Sequence, residues 1–369
     1  MKKTLIAGAT LAALAGFAQA QSVTIYGIVD AGVEYQNKVA KLGGGDSSRT
    51  SVNNSGIAPS IWGFRGSEDL GGGLKAVFNL ESDFNADTGS PRFGGALMLF
   101  GRQANVGLSG DFGTVLLGRQ YSPAILAEIV AGSDPRGYRE SFSTLLPYAL
   151  TQMPTGNSGL DGSTKNFLGI FNSNAISYTN SFGPVTLRAA YGLGEVAGKS
   201  SQGSTTAVGL NYAGPFNASL SYQKIKGDAG GGASTDAESE RFGVGASVPL
   251  GAFTFKAIYA ASKADDSVGT KISDADYFGV GVNWNWNPQN TLIVAYYQGK
   301  DKAPIYDGKT KDFVISNDYA LSKRTTLYAQ YVLADVDAGA NAGLSIAADR
   351  ISVVGEKTSI FGVGIKHAF

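Results

Sequence analysis

The 369-residue chain contains no cysteine, so it has neither a disulfide framework nor a thiolate metal site. It has a single histidine, His367, which nearly removes Ser-His catalysis from consideration. It lacks a basic excess: 30 Lys and Arg stand against 30 Asp and Glu, a balance that argues against nucleic acid as a partner. Beyond the first twenty residues it lacks any apolar run of about 18 residues, so no helix long enough to cross a bilayer is encoded. No phosphate-binding loop, zinc-ligand spacing or EF-hand pattern occurs, and its Gly-x-Gly pairs lie inside strand-like segments, not at a strand-to-helix turn.

What is present begins with an export signal. Lys2 and Lys3 form a basic start, Leu5 to Phe17 a short apolar stretch, and Ala18-Gln19-Ala20 a small-residue cleavage site. Residues 1–20 are therefore expected to be removed, and 21–369 to form one domain. Without Lys2 and Lys3, 28 basic residues face 30 acidic ones, a net charge of −2.

The dominant pattern of the remainder is alternation. Phe361, Val363, Ile365, His367 and Phe369 share one parity, opposite Gly362, Gly364, Lys366 and Ala368. Val23, Ile25, Val29, Val33 and Tyr35 oppose Thr24, Asp30 and Glu34; Phe278, Val280, Val282, Trp284 and Trp286 oppose Gly279, Gly281, Asn283 and Asn285. A two-residue period with one apolar and one small or polar face is a strand between two different solvents. Short turns such as Gly71-Gly72-Gly73, Gly183-Pro184 and Pro249-Leu250-Gly251 alternate with long polar stretches near 38–58, 194–205, 228–239 and 338–358. Sixteen segments, from 22–36 to 359–369, can be laid out so. The even count predicts an all-β fold, a 16-stranded antiparallel transmembrane β-barrel with apolar exterior and wet interior. A mean hydropathy of −0.02 suits strands that are half polar.

One connection differs. Residues 122–173 show no clean alternation, yet Ile125, Leu126, Ile129, Val130, Phe142, Leu145, Leu146 and Tyr148 call for burial. Ser122-Pro123 is a helix start, cap then first helical residue, and predicts a helix over about 123–130. The segment is expected to fold against the inner wall and narrow the channel.

The segments SVTIYGIVDAGVEY (22–35), WGFRGSEDLGGGLKAVFNLE (62–81), FGRQANVGLSGDFGTVLLGRQ (100–120), ISYTNSFGPV (176–185), LSKRTTLYAQY (321–331) and FGVGIKHAF (361–369) resemble the Gram-negative general porins of the β-proteobacterial type. The resemblance runs from the leader to the last residue. It implies a homotrimer in the outer membrane among lipid and lipopolysaccharide, with an inward-folded third loop. It also implies passive passage of small hydrophilic solutes and inorganic ions, with anions favoured by many such porins. Phe369 would be the signal read by the barrel assembly machinery. No catalytic residue, cofactor or metal is implied.

The resemblance places an eyelet arginine at Arg102. By parity Arg65, Lys75 and Arg188 face the lumen, as do Asp30 and Glu34. On the loop Glu128, Asp134, Arg136, Arg139 and Glu140 are candidates for the facing wall, so that charges across a narrow eyelet set its field. Where relatives commonly carry an arginine before Trp-Gly, this chain has Ile61, which predicts a weaker anion preference. Arg119 shares parity with Val115 and Leu117 and so points outward. A bare arginine against lipid costs roughly 2–4 kcal/mol at the midplane, so a subunit interface is the expected place for it. Three rival readings remain: an outer-membrane barrel enzyme with a carboxylate site, a substrate-specific channel for sugars or organic anions, and an adhesin acting through its outer loops.

Overall fold

The computed structural model describes residues 21–40, 45–91, 99–137, 169–227, 237–266, 268–346 and 354–369. Arg139, Glu140, Phe142, Leu145, Leu146 and Tyr148, and residues 1–20, lie outside the described residues. Seventeen antiparallel strands form one sheet. The first is β1 (Gln21–Ala40), followed by β2 (Asp46–Asn54), β3 (Ile61–Gly71), β4 (Leu74–Asp83), β5 (Gln103–Gly110) and β6 (Gly113–Tyr121). A helix, α1 (Pro123–Ala131), precedes β7 (Phe171–Phe182), β8 (Val185–Gly192), β9 (Thr205–Ala213), β10 (Asn217–Lys226), β11 (Glu238–Leu250) and β12 (Phe253–Asp265). Then come β13 (Lys271–Asn287), β14 (Asn290–Asp301), β15 (Lys309–Ala320), β16 (Thr325–Val336) and β17 (Lys357–Ala368).

The seventeen strands make sixteen staves. β2 and β3 both pair with β1 on the same edge, β2 through Ala31–Ala40 and β3 through Gln21–Ile28, so they are one stave interrupted at residues 55–60. The opposite edge of β1 pairs with β17, Ile28 with Ala368 through Gln36 with Ile360, and this closes the barrel. Closure removes the sheet edges that lipid cannot hydrogen-bond. Phe369 completes the seam by exchanging backbone hydrogen bonds with Gly27. At the Gly71-Gly72-Gly73 turn all three glycines have positive φ, which L side chains adopt at a cost.

The alternation reads out as expected on the outside. Val33, Phe361, Val363 and Ile365 are exposed, and His367 is exposed among them, with its Nδ1 2.9 Å from Thr325 Oγ1. The stretch 38–58 departs from expectation. It is largely strand: β1 continues to Ala40 and β2 returns to Asn54. Its Ser and Thr residues are compatible with strand backbone, but Asp46, Ser48 and Thr50 on its exposed face are polar, so the apolar alternation that signals a strand is missing there.

The inside is uneven. The inner face of β13–β17 is covered. Ile346, in the segment after β16, packs with Tyr277, Tyr297, Val314, Val332 and Ile360. Asp312 holds that segment by accepting from Ser345 Oγ at 2.6 Å and the Ile346 N–H at 3.1 Å. Water reaches the inner face mainly along β3–β8, where Arg65 and Lys75 are exposed and Asn79, Gln103, Thr114 and Arg188 are half-buried.

Candidate functional site: the inward segment and the charges around it

The helix α1 begins as its sequence predicts. Ser122 caps it, accepting from the Ala124 N–H, with Pro123 in the first turn; Gly132 ends it at φ 59°. The segment leaves and rejoins the wall at one neck, where the Ser122 N–H donates to Ile170 O at 2.8 Å and the Tyr121 and Phe171 rings lie 4.7 Å apart.

Beyond the neck the segment follows the wall of β9–β16, seated on residues with no side chain. A Cβ on Gly209 would stand 2.3 Å from Pro123 O, and one on Gly243 or Gly245 would strike Glu128 or Ser133. Polar locks follow in sequence. Gln223 accepts from Ser122 Oγ and donates to Gly169 O. Glu128, fully buried, pairs with Arg241 and accepts from Ser221 Oγ. Ser247 Oγ donates to Ala131 O at 2.7 Å. Tyr297 OH donates to Asp134 Oδ1 and accepts from the Arg136 N–H, both at 2.8 Å. Arg136, also fully buried, donates to Gln330 Oε1 at 2.8 Å.

These contacts correct the expectation that Glu128, Asp134 and Arg136 face the water across an eyelet. All three are engaged by the wall behind the segment. A buried charge left unpaired is strongly destabilising, so the wall supplies partners of opposite sign or strong polarity. Asp30 and Glu34 are corrected likewise. Asp30 is fully buried and accepts from the backbone N–H of Gly56 (3.0 Å), Ile57 (2.9 Å) and Ala58 (2.8 Å) and from Tyr328 OH (2.7 Å). It folds residues 55–60 inward at the break between β2 and β3. Glu34 accepts from Asn53 Nδ2 at 3.1 Å.

Arg102 lies just before β5, so the parity of Val106 does not bind it. Its Nε donates to Glu81 Oε1 at 2.8 Å, and its other nitrogens reach Tyr121 OH and, at 3.5 Å, Asp83. Its guanidinium lies 5.2 Å from the centre of the Phe171 ring. Arg119 approaches the same ring at 5.4 Å and donates to Gly101 O and Ser173 Oγ, each at 2.6 Å. Two arginines and two carboxylates thus cluster at the neck with no net formal charge. For Arg119 this overturns the outward placement. A bulge between Gly118 and Gln120, with Gly118 at φ 116°, breaks the alternation, and the residue is only 6% exposed within its own chain. Its shelter needs no partner subunit, which removes the ground for an interface role.

Among the described residues the lumen-facing cations in reach of water include Arg65, which stacks at 5.2 Å on the Tyr26 ring, Lys75, Arg188 beside Asn211, Lys256 and Lys366. Sequence reasoning missed Arg241, Gln223, Tyr297, Tyr328 and Gln330. Only one signal could have found that wall: glycine recurring at lumen-facing positions of β9–β13, which marks where something lies flat on the sheet.

Among the described residues no group of His, Cys, Asp and Glu is placed to hold a metal. What the arrangement offers is a lumen narrowed by an anchored segment and lined by fixed charges.

Comparison with known proteins agrees. The family model of the Gram-negative porins matches residues 7–339. The chain is 33% identical over 383 residues to outer membrane porin protein 32 of Delftia acidovorans. It is 30% identical over 409 residues to an outer membrane porin protein of Bordetella pertussis, and each of the two alignments covers both chains completely. The structure of an anion-selective porin from Comamonas acidovorans superposes with a TM-score of 0.76 at 27% identity, over 95% of this chain and all of that one. These relatives are channels, not enzymes. The chain therefore belongs to the Gram-negative porin family, a multi-pass β-barrel channel of the outer membrane.

Proposed function

We propose that this porin is a general diffusion channel for small hydrophilic solutes and inorganic ions, with a weak to moderate preference for anions. Diffusion is limited where the anchored segment 122–137 faces the wall of β1–β6. The observation that supports the sign is the unequal fate of the charges. Glu81 and Asp83 are matched by Arg102 and Arg119, Glu128 by Arg241, Lys75 stands opposite the exposed Asp69, and Asp30 and Glu34 are buried, whereas Arg65 is exposed to the lumen with no ion pair among the described residues. A low-dielectric wall whose one unpaired exposed cation among these residues is Arg65 raises the local concentration of anions. Ile61 at the wall position where an arginine is common in the family keeps the preference modest.

In this reading residues 1–20 are a cleaved leader, and 21–369 act as a homotrimer among outer-membrane lipid and lipopolysaccharide. Phe369 directs assembly by the barrel machinery. The alternative is a channel specific for organic anions. Reversal potential in a potassium chloride gradient across a planar bilayer tests the proposal. A potential slightly on the chloride side is expected; a potassium-side or strongly chloride-side value contradicts it.

A further inference from the structure

We propose that the outward rim of β14 and β15 is a docking site for lipopolysaccharide, with Lys300 and Lys309 holding a lipid A phosphate between them. This rests on the reading that lipopolysaccharide surrounds the barrel and adds a defined contact to it. The two lysines face each other directly across the β14–β15 ladder. They share the outward parity of Tyr296 and Phe313, which also pair with each other. Lys300 is exposed and Lys309 half-buried, and neither side chain forms an ion pair among the described residues. Like charges directly opposite each other destabilise a sheet. A phosphate between them turns that repulsion into two charge-assisted contacts.

The surplus of positive charge is local. Asp276 stands opposite Lys300, but its carboxylate is engaged by Lys302 and by Tyr259 OH at 3.0 Å. Asp337 takes Lys311 at 3.3 Å and the Lys309 backbone N–H at 3.2 Å. Asp307, in the connection between the two strands, forms no ion pair with either lysine. Lys300, Lys302, Lys309 and Lys311 thus meet only Asp276 and Asp337. Elsewhere on the rim lysines are matched: Lys224 by Glu240 at 2.9 Å, Lys271 by Asp274 at 3.0 Å and Lys357 by Asp335 at 3.5 Å.

Height on the barrel selects the occupant. The tight turn that joins β13 to β14 at Asn287 and Asn290 lies at the opposite end of β14 from Lys300. Short turns mark the periplasmic end, so the lysines stand at the outer leaflet. Just below them lie Phe278, Tyr296 and Phe313, with the first two ring centres 6.1 Å apart. Such an aromatic level marks a headgroup boundary. Lipid A is an acylated, phosphorylated disaccharide. Its acyl chains suit the rings and the apolar wall beneath them, and its phosphate suits the cations above. Lysine stems can lie along that wall while the ammonium groups reach the phosphate.

Bisphosphorylated lipid A is the probe. Its affinity for the immobilised, detergent-solubilised porin is measured by surface plasmon resonance in EDTA, which removes binding through cations bridged to Asp276 or Asp337. The expected result is saturable binding that fully dephosphorylated lipid A does not reproduce. Lys300→Gln or Lys309→Gln should weaken it about fivefold and the two together about twentyfold, from the contribution of one lysine near an anionic surface taken once and twice. Lys300→Arg with Lys309→Arg should keep the affinity, and Lys357→Gln, which removes a matched lysine, should leave it unchanged. Equal affinity in wild type and the double Gln variant overturns the site, as does equal binding of the dephosphorylated lipid. Complete displacement of lipid A by millimolar inorganic phosphate reassigns the lysines to a free anion and also overturns the docking. A double Gln variant that runs as a smaller oligomer than wild type on native gels places them at a subunit contact instead. A wild-type porin that binds neither form of lipid A undoes the underlying reading.

Discussion

Tyr328 of β16 lies across Gly364 of β17 and places its hydroxyl 2.7 Å from Asp30 Oδ1 on β1, spanning the seam where the barrel closes. A Cβ on Gly364 would come within 2.2 Å of that hydroxyl, so the glycine is what allows the ring to lie flat. The bond ties the first strand to the last but one, and Asp30 adds residues 55–60 from the second stave.

Tyr328→Phe should therefore lower barrel stability by about 1.5–3 kcal/mol, the range for a hydrogen bond to a charged group. Asp30→Ala should cost more, because it strands three backbone donors at once. The urea midpoint for loss of the folded gel band checks both. Equal midpoints for wild type and Asp30→Ala would show that the seam does not depend on this knot.

Glu128→Leu alone leaves the buried Arg241 without its carboxylate and should destabilise the seat of the inward segment by about 3–5 kcal/mol. The readout is enhanced current noise and faster proteolysis. The double change Glu128→Leu with Arg241→Met should recover most of the quiet behaviour, since apolar groups of similar size replace buried ion pairs well. A double variant as noisy as the single would mean that the pair is needed for its charge.

Gly209→Val should push α1 off its seat and into the lumen, because even the first added carbon meets Pro123 O at 2.3 Å. Single-channel conductance should fall, with the barrel otherwise folded by circular dichroism. Undiminished conductance would place the conducting path away from α1.

Arg102→Ala uncovers Glu81 and Asp83 and should move the reversal potential toward cations, with three equal current steps per inserted particle if the porin is trimeric. Ile61→Arg should move it the other way. Shifts of the same sign in both variants would be inconsistent with a wall charge acting at the narrow zone.

The barrel was legible because lipid and water impose opposite demands on alternate residues, and Val33, Val363 and Ile365 obey them. The end of β1 and the strand β2 were not, because the exposed Asp46, Ser48 and Thr50 are as polar as their inward neighbours and leave no contrast to read. The helix start was legible from Ser122-Pro123, which act locally. Which wall received it was not, since Glu128 and Arg241 are 113 residues apart and parity says nothing about partners across a lumen. Parity also failed at Arg119, where one bulged residue reverses every inference drawn from strict alternation.

The neck at Ser122 and Ile170 joins the two ends of the 122–170 connection to each other at the wall. Lengthening or replacing the chain between residues 137 and 169 then need not strain β6 or β7. That stretch can vary like an interchangeable part while the hull stays the same.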